Sequence, residues 1–246
     1  MSAIVCVSQP DQGLVHLATD AAFYSSEGEV CNFGNKLTTI PHWPGAIVGL
    51  GNSAMVVLFA WSLSEEFTSF DDFVERGEQH LPTMMKSWGL DIPSHSHIIV
   101  AGISQLRGPE AYAFRTGDCI PKTATAADVK ASDCYDEPFR LVKLPNVVMS
   151  PTADDQVYAA GYDGIDPTDR PSAVVWSMRK VLEMQRHTAL PDYIGGIGGW
   201  GQLVTISKFA IRQRIIARWP EDRVGGALRP LPVDWEAWHR ENPRPS

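Results

Sequence analysis

Basic residues are in short supply. Twenty-one Lys and Arg stand against 29 Asp and Glu, leaving a net charge of −8. An acidic chain lacks the cationic field that non-specific nucleic-acid binding requires, so no nucleic-acid partner is expected. Long apolar runs are missing too. No stretch reaches the roughly 20 residues of a membrane span, so no membrane partner is expected. The opening Met1-Ser2-Ala3-Ile4-Val5-Cys6-Val7 has neither a basic segment nor a long apolar one, and does not read as a secretory signal. Cysteine is sparse and scattered. Cys6, Cys31, Cys119 and Cys134 show no CxxC spacing and no Cys/His cluster, so neither a disulfide framework nor a zinc site is expected. That usage fits a reducing, cytoplasmic compartment.

What is present is the material of one sizeable core. The chain has 246 residues, 44% of them hydrophobic and 20% charged, which fits a single domain with a decorated terminus. Residues 4–8 and 14–19 read as a hairpin around Gln9-Pro10-Asp11-Gln12-Gly13. A polar segment with Gly28 and Gly34 follows, then strands at 36–40 and 46–50. Asn52 and Ser53 offer N-caps to a helix ending near residue 67. Ser69, with Asp71 and Asp72 behind it, opens a second helix to about Gly89. Strands are expected at 97–104, 110–115 and 139–144, a long helix at 172–187, and strands at 202–207 and 209–219. This order is α+β; two sheets with helices outside would bury every apolar face. The domain is set at residues 1–219. Residues 220–246, with five prolines, read as an extended tail.

Several local patterns have two readings. Gly196-Ile197-Gly198-Gly199-Trp200-Gly201 matches GxGxxG, but a strand-like segment follows where a dinucleotide site needs a helix, so a tight turn is preferred. His95-Ser96-His97 lacks a third ligand and reads as strand-edge histidines. Arg212, Arg214 and Arg218 share one face of a regular strand, with Phe209, Ile211 and Ile215 on the other. Residues 208–246 carry eight basic and five acidic side chains, net +3, against −11 on the rest. That face is either solvated or docks on an acidic neighbour. Trp61, Trp88 and Trp176 read as core or interface anchors. Trp235 and Trp238 can hold the tail only by burying against a surface, on the domain or on a partner.

An ordered set of short motifs resembles the proteasome-type and HslV-like subunits of the N-terminal-nucleophile (Ntn) hydrolases. Ser2-Ala3-Ile4-Val5-Cys6-Val7 is similar to the family's small-hydroxyl start and β-branched run. His16-Leu17-Ala18-Thr19-Asp20 is similar to its second strand, and Lys36 follows Asp20 at the family's spacing of sixteen. Val48-Gly49-Leu50-Gly51-Asn52-Ser53 looks like its glycine turn before the first helix, and Val157-Tyr158-Ala159-Ala160-Gly161 like its later Tyr-Ala segment. Agreement is good over residues 2–60 and weaker to about 207.

The resemblance implies a four-layer αββα Ntn sandwich and a catalytic set of Ser2, Asp20, Lys36, Gly49 and Asp192. A serine hydroxyl needs a base, and an N-terminal serine supplies one in its own α-amine, of pKa roughly 7.7–8.0. The Lys ammonium favours the ionised hydroxyl, the Asp holds the Lys, and a glycine N–H meets the oxyanion. The amine exists only after removal of Met1, which the small side chain of Ser2 favours. The chain departs from the family at Gly195, where a Ser should follow Asp192, and near Asp154, where another Ser is missing. Two functions are expected. One is an N-terminal serine hydrolase of peptide or amide bonds, assembled with further copies. The other is an inactive subunit with a structural role in a larger assembly, for example a phage particle. No cofactor and no metal are implied.

Overall fold

The computed structural model describes residues 2–51, 53–88, 96–117, 137–188 and 196–245. Strands β1 (Ile4–Gln9) and β2 (Leu14–Thr19) form the expected hairpin. A 3-10 turn over Pro10–Gln12 joins them and closes at Gly13, whose left-handed φ of 64° suits a residue without Cβ. With β10 (Val147–Ser150), β11 (Trp200–Ser207) and β12 (Ile211–Arg218) they build a sheet ordered β10-β1-β2-β11-β12. A second sheet runs β5-β6-β7-β8-β9, from Thr38–Ile40, Gly45–Leu50, His97–Ser104, Gly108–Arg115 and Val142–Lys143. A ribbon of β3 (Ala22–Tyr24) and β4 (Val30–Phe33) stands apart. Every described pairing is antiparallel, and the chain is mixed α+β.

The two sheets face one another across a core of Ile4, Cys6, Leu17, Val48, Ala101 and Ala113, among others. The alternate residues point outward. Val5, Val7, Ala18 and Leu203 pack on Val174, Met178, Val181 and Leu182 of α3 (Pro171–His187). On the other side, Ile47, Ile98, Val100 and Phe114 pack on α1 (Ser53–Glu66) and α2 (Phe70–Ser87). Sheets covered on both faces need apolar residues at consecutive positions, which is why Ile4-Val5-Cys6-Val7 does not alternate. Burial pushes the Cys6 thiol up to about 12, so it is inert. The Ser69 hydroxyl caps α2 by accepting the Asp72 N–H at 3.1 Å.

Five expectations need correction. The strand expected at 36–40 starts at Thr38, so Lys36 lies in the connection before β5. The strand expected at 139–144 shrinks to Val142–Lys143; Phe139 has φ 67°, outside strand geometry. A bulge in β12 leaves Ile216 unmatched opposite Gly201 and Gln202. One extra residue inverts the period-2 pattern, so Arg218 falls on the opposite face from Arg212 and Arg214. The core reading of Trp61 fails, since it is 66% exposed and its indole donates to Glu65, and its interface reading is left standing. Finally, the tail contains α4 (Trp235–Glu241), capped by Asp234. Trp238 is buried there, 5.6 Å from the Trp176 ring of α3, and the Trp176 indole donates to the Asn242 carbonyl. Asn52 and Gly89 lie outside the described residues.

Away from these clusters, His16 of β2 is buried in a closed hydrogen-bond network. The amide of Gln9 donates to the carbonyls of Pro167 and Asp169, which leaves its Oε1 to accept from His16 Nε2 at 3.0 Å. His16 Nδ1 therefore accepts the Thr205 hydroxyl at 2.9 Å, and the ring is neutral. Burial, with Arg214 nearby, pulls its pKa from 6.5 down to about 4. The unfolded chain then binds more protons between pH 6.5 and 4, so stability falls as pH drops through that window. Urea titrations at pH 7 and pH 4 should show a loss of up to about 3 kcal/mol that is absent in His16→Gln.

Candidate active site

The β1–β2 register, with Ile4 opposite Thr19, brings the start of the chain alongside Asp20. Ala3 donates its N–H to Asp20 Oδ1 at 3.0 Å, and the Thr19 hydroxyl donates to the Ala3 carbonyl at 2.5 Å. Lys36 enters from the connection between β4 and β5, anchored where Gly34 donates its N–H to the Ala21 carbonyl. Gln202 of β11 ties the same two segments together, its amide donating to the carbonyls of Asp20 at 3.3 Å and Gly34 at 3.4 Å. Ser2, Asp20 and Lys36, separated in sequence, thus meet at one end of the first sheet.

The Lys36 ammonium is the centre of this cluster. Its Nζ donates to Ser2 Oγ at 2.7 Å and to Asp20 Oδ1 and Oδ2 at 3.0 and 3.1 Å, and sits 5.4 Å from the Phe23 ring centroid. Lys36 is 7% exposed and Asp20 is fully buried. Burial pulls the Lys36 ammonium below the usual lysine range, and the Asp20 carboxylate opposes that pull. Asp20 accepts three backbone N–H groups besides: Ala3, Ala22 at 3.0 Å and Gly198 at 3.3 Å. A carboxylate so surrounded is fixed in place to hold its lysine. Chemically, the cluster is a half-buried hydroxyl with a cation aimed at its oxygen. Such a cation stabilises the alkoxide relative to the alcohol.

Gly49 lies in β6 opposite Ile98. A Cβ there would come within 2.8 Å of both the Ile98 and Val56 side chains, so close packing under α1 is one reason for glycine. The β5–β6 pairing ends at Thr38 opposite Ile47, two residues short of Gly49 on β6 and of Lys36 in the preceding connection. Asp192 and Gly195 lie outside the described residues, as does His95. His97 opens β7 as an exposed residue, and among the described residues no group of three or more His, Cys, Asp and Glu could hold a metal ion.

Sequence reasoning missed the loop over residues 196–199. Taken as a plain turn, it lies against Asp20 through the Gly198 N–H, and β11 follows it directly, without the helix that a dinucleotide site needs. The Tyr24 hydroxyl donates to the Gly196 carbonyl at 2.5 Å from the same side. Backbone donors leave no side-chain signature, so only the glycine density of this loop hinted at a role. Among the described residues no helix is long and apolar enough to cross a membrane. No protein-family model matches the chain, and no curated protein matches it either.

Proposed function

We propose that the protein is a proteasome-like, HslV-like N-terminal serine hydrolase of peptide or amide bonds, active once Met1 is removed. The reading rests on the 2.7 Å contact between Lys36 Nζ and Ser2 Oγ, with Lys36 held by buried Asp20. Helices outside two facing antiparallel sheets are in keeping with the four-layer αββα Ntn sandwich that the motifs imply.

In this mechanism the Ser2 Oγ attacks the substrate carbonyl and its proton passes to the α-amine of Ser2. Lys36 favours the ionised oxygen. The N–H of Gly49 meets the oxyanion, a term of about 3 kcal/mol. Collapse of the tetrahedral adduct breaks the C–N bond, and the α-amine returns the proton to the leaving amine. Water then hydrolyses the Ser2 ester by the same steps.

One observation favours the second reading, an inactive subunit of a larger assembly. Helix α1 is uncharged until Glu65, yet Val57 is 58% and Trp61 66% exposed, and a helix apolar all round is normally covered. Intact mass after treatment with a β-lactone decides between the two. The hydrolase reading expects protein lacking Met1 to gain one adduct, lost in Ser2→Ala. Met1-free protein that gains none is the structural subunit.

A further inference from the structure

Arg186, in the last turn of α3, has a side chain only 1% exposed. Its guanidinium donates to Asp222 Oδ1 and Oδ2 at 2.7 and 2.9 Å, to Glu221 Oε1 at 2.9 Å and to the Ile197 carbonyl at 2.6 Å. Its other face lies 4.9 Å from the Trp219 ring centroid. Asp222, whose side chain is 3% exposed, also accepts the Gly199 N–H at 2.7 Å. The residue between Ile197 and Gly199 is Gly198, whose N–H reaches Asp20 and whose carbonyl accepts the Ala21 N–H at 3.1 Å. A Cβ on Gly198 would lie 2.6 Å from Asp222 Oδ2 and 2.3 Å from Leu228 Cδ1, so a larger residue would have to displace Leu228 and the clamp carboxylate.

Three consecutive residues are therefore gripped on one side by a buried ion pair and touch Asp20 and Ala21 on the other. We infer that Arg186 and Asp222 are positioning residues for the Ser2–Lys36–Asp20 centre, acting through the backbone of residues 197–199. A planar fork suits this task because it binds a carboxylate with two parallel bonds while still reaching the Ile197 carbonyl and Glu221. An apolar contact could fill the same space but could not fix the direction of the Gly199 and Gly198 N–H groups. If the loop withdraws, Asp20 loses one of its three backbone donors. Its negative charge is then less dispersed, and it holds the Lys36 proton more tightly. The effect on acylation rests on the hydrolase reading; the effect on Lys36 does not.

The test uses charge-conserving variants, Arg186→Lys and Asp222→Glu, so that a change at Lys36 reports geometry and not a lost charge. Lys36 faces Asp20, Ser2 and the Phe23 ring, and none of these is altered. Its titration is followed by NMR of 13C-labelled lysine, assigned with Lys36→Arg, and the β-lactone rate is measured over a range of probe concentrations. In either variant that retains the parent circular dichroism, the Lys36 midpoint should rise by about half a pH unit or more. The saturating acylation rate should fall about tenfold with probe affinity nearly unchanged, as slight misplacement of a reacting group produces. An unmoved Lys36 midpoint in a folded variant overturns the clamp, whether or not Ser2 is acylated. A moved midpoint in a protein that the probe never acylates upholds the clamp and removes the hydrolase reading instead.

Discussion

Lys36→Met is expected to slow acylation of Ser2 by a β-lactone about 10⁴-fold, the scale on which catalytic constellations fail when one member is lost. The ammonium is 2.7 Å from Ser2 Oγ, so its charge acts directly on the oxygen that must become an alkoxide. Burial strengthens that effect, because little water screens the pair. Methionine fills much of the lysine volume, and Asp20 keeps its backbone donors from Ala3, Ala22 and Gly198. The variant should therefore fold, which circular dichroism checks before the mass measurement. Labelling of folded Lys36→Met within tenfold of the parent rate would show that Ser2 is reactive for another reason, and the proposed mechanism would fall with it.

Asp20→Asn should be costly to the fold itself. Replacing the carboxylate by an amide leaves the 7% exposed Lys36 ammonium beside neutral groups, the amide oxygen, the Ser2 hydroxyl and the Phe23 ring, with its counter-charge gone. Breaking one side of a buried pair costs about 3–5 kcal/mol. For a chain of this size that lowers Tm by roughly 6–20 °C. The deficit should also depend on pH, with a definite sign. Without Asp20 nothing opposes the burial that depresses Lys36, so the unfolded chain binds the extra proton over a wide window below pH 10.4. Stability of Asp20→Asn should then rise relative to the parent as pH increases from 7 towards 10. Thermal melts at several pH values measure this, and a parallel pair of curves would mean that Lys36 carries no buried charge.

Much of the architecture was legible because periodicity and punctuation are local. The hairpin through Gly13, the Ser69 cap, the His97–Ser104 strand and the α3 helix follow from residues a few positions apart. The resemblance to the Ntn hydrolases, through the sixteen-residue spacing, named Asp20 and Lys36 as a pair, and they do meet, although Lys36 does so from a connection and not from a strand. The β3–β4 ribbon was missed because its residues, 22–24 and 30–33, are too few to show alternation. Helix α4 was missed because prolines on either side suggested an extended tail, while Trp238 gains its burial only against Trp176.

By itself the sequence determined the α+β order and which ionisable groups the chain has to offer; that helices cover both sheets was one arrangement the pattern allowed. Those depend on side-chain chemistry and on spacings of two, three or four residues along the chain. Tertiary structure decided that Gly198 donates to Asp20, that Arg186 and Asp222 grip the same loop, and that a bulge at Ile216 turns Arg218 away from Arg212 and Arg214. Each of these joins backbone groups or residues far apart in the chain. A peptide N–H is the same chemical group at every non-proline position, so where it points is settled only when distant segments pack.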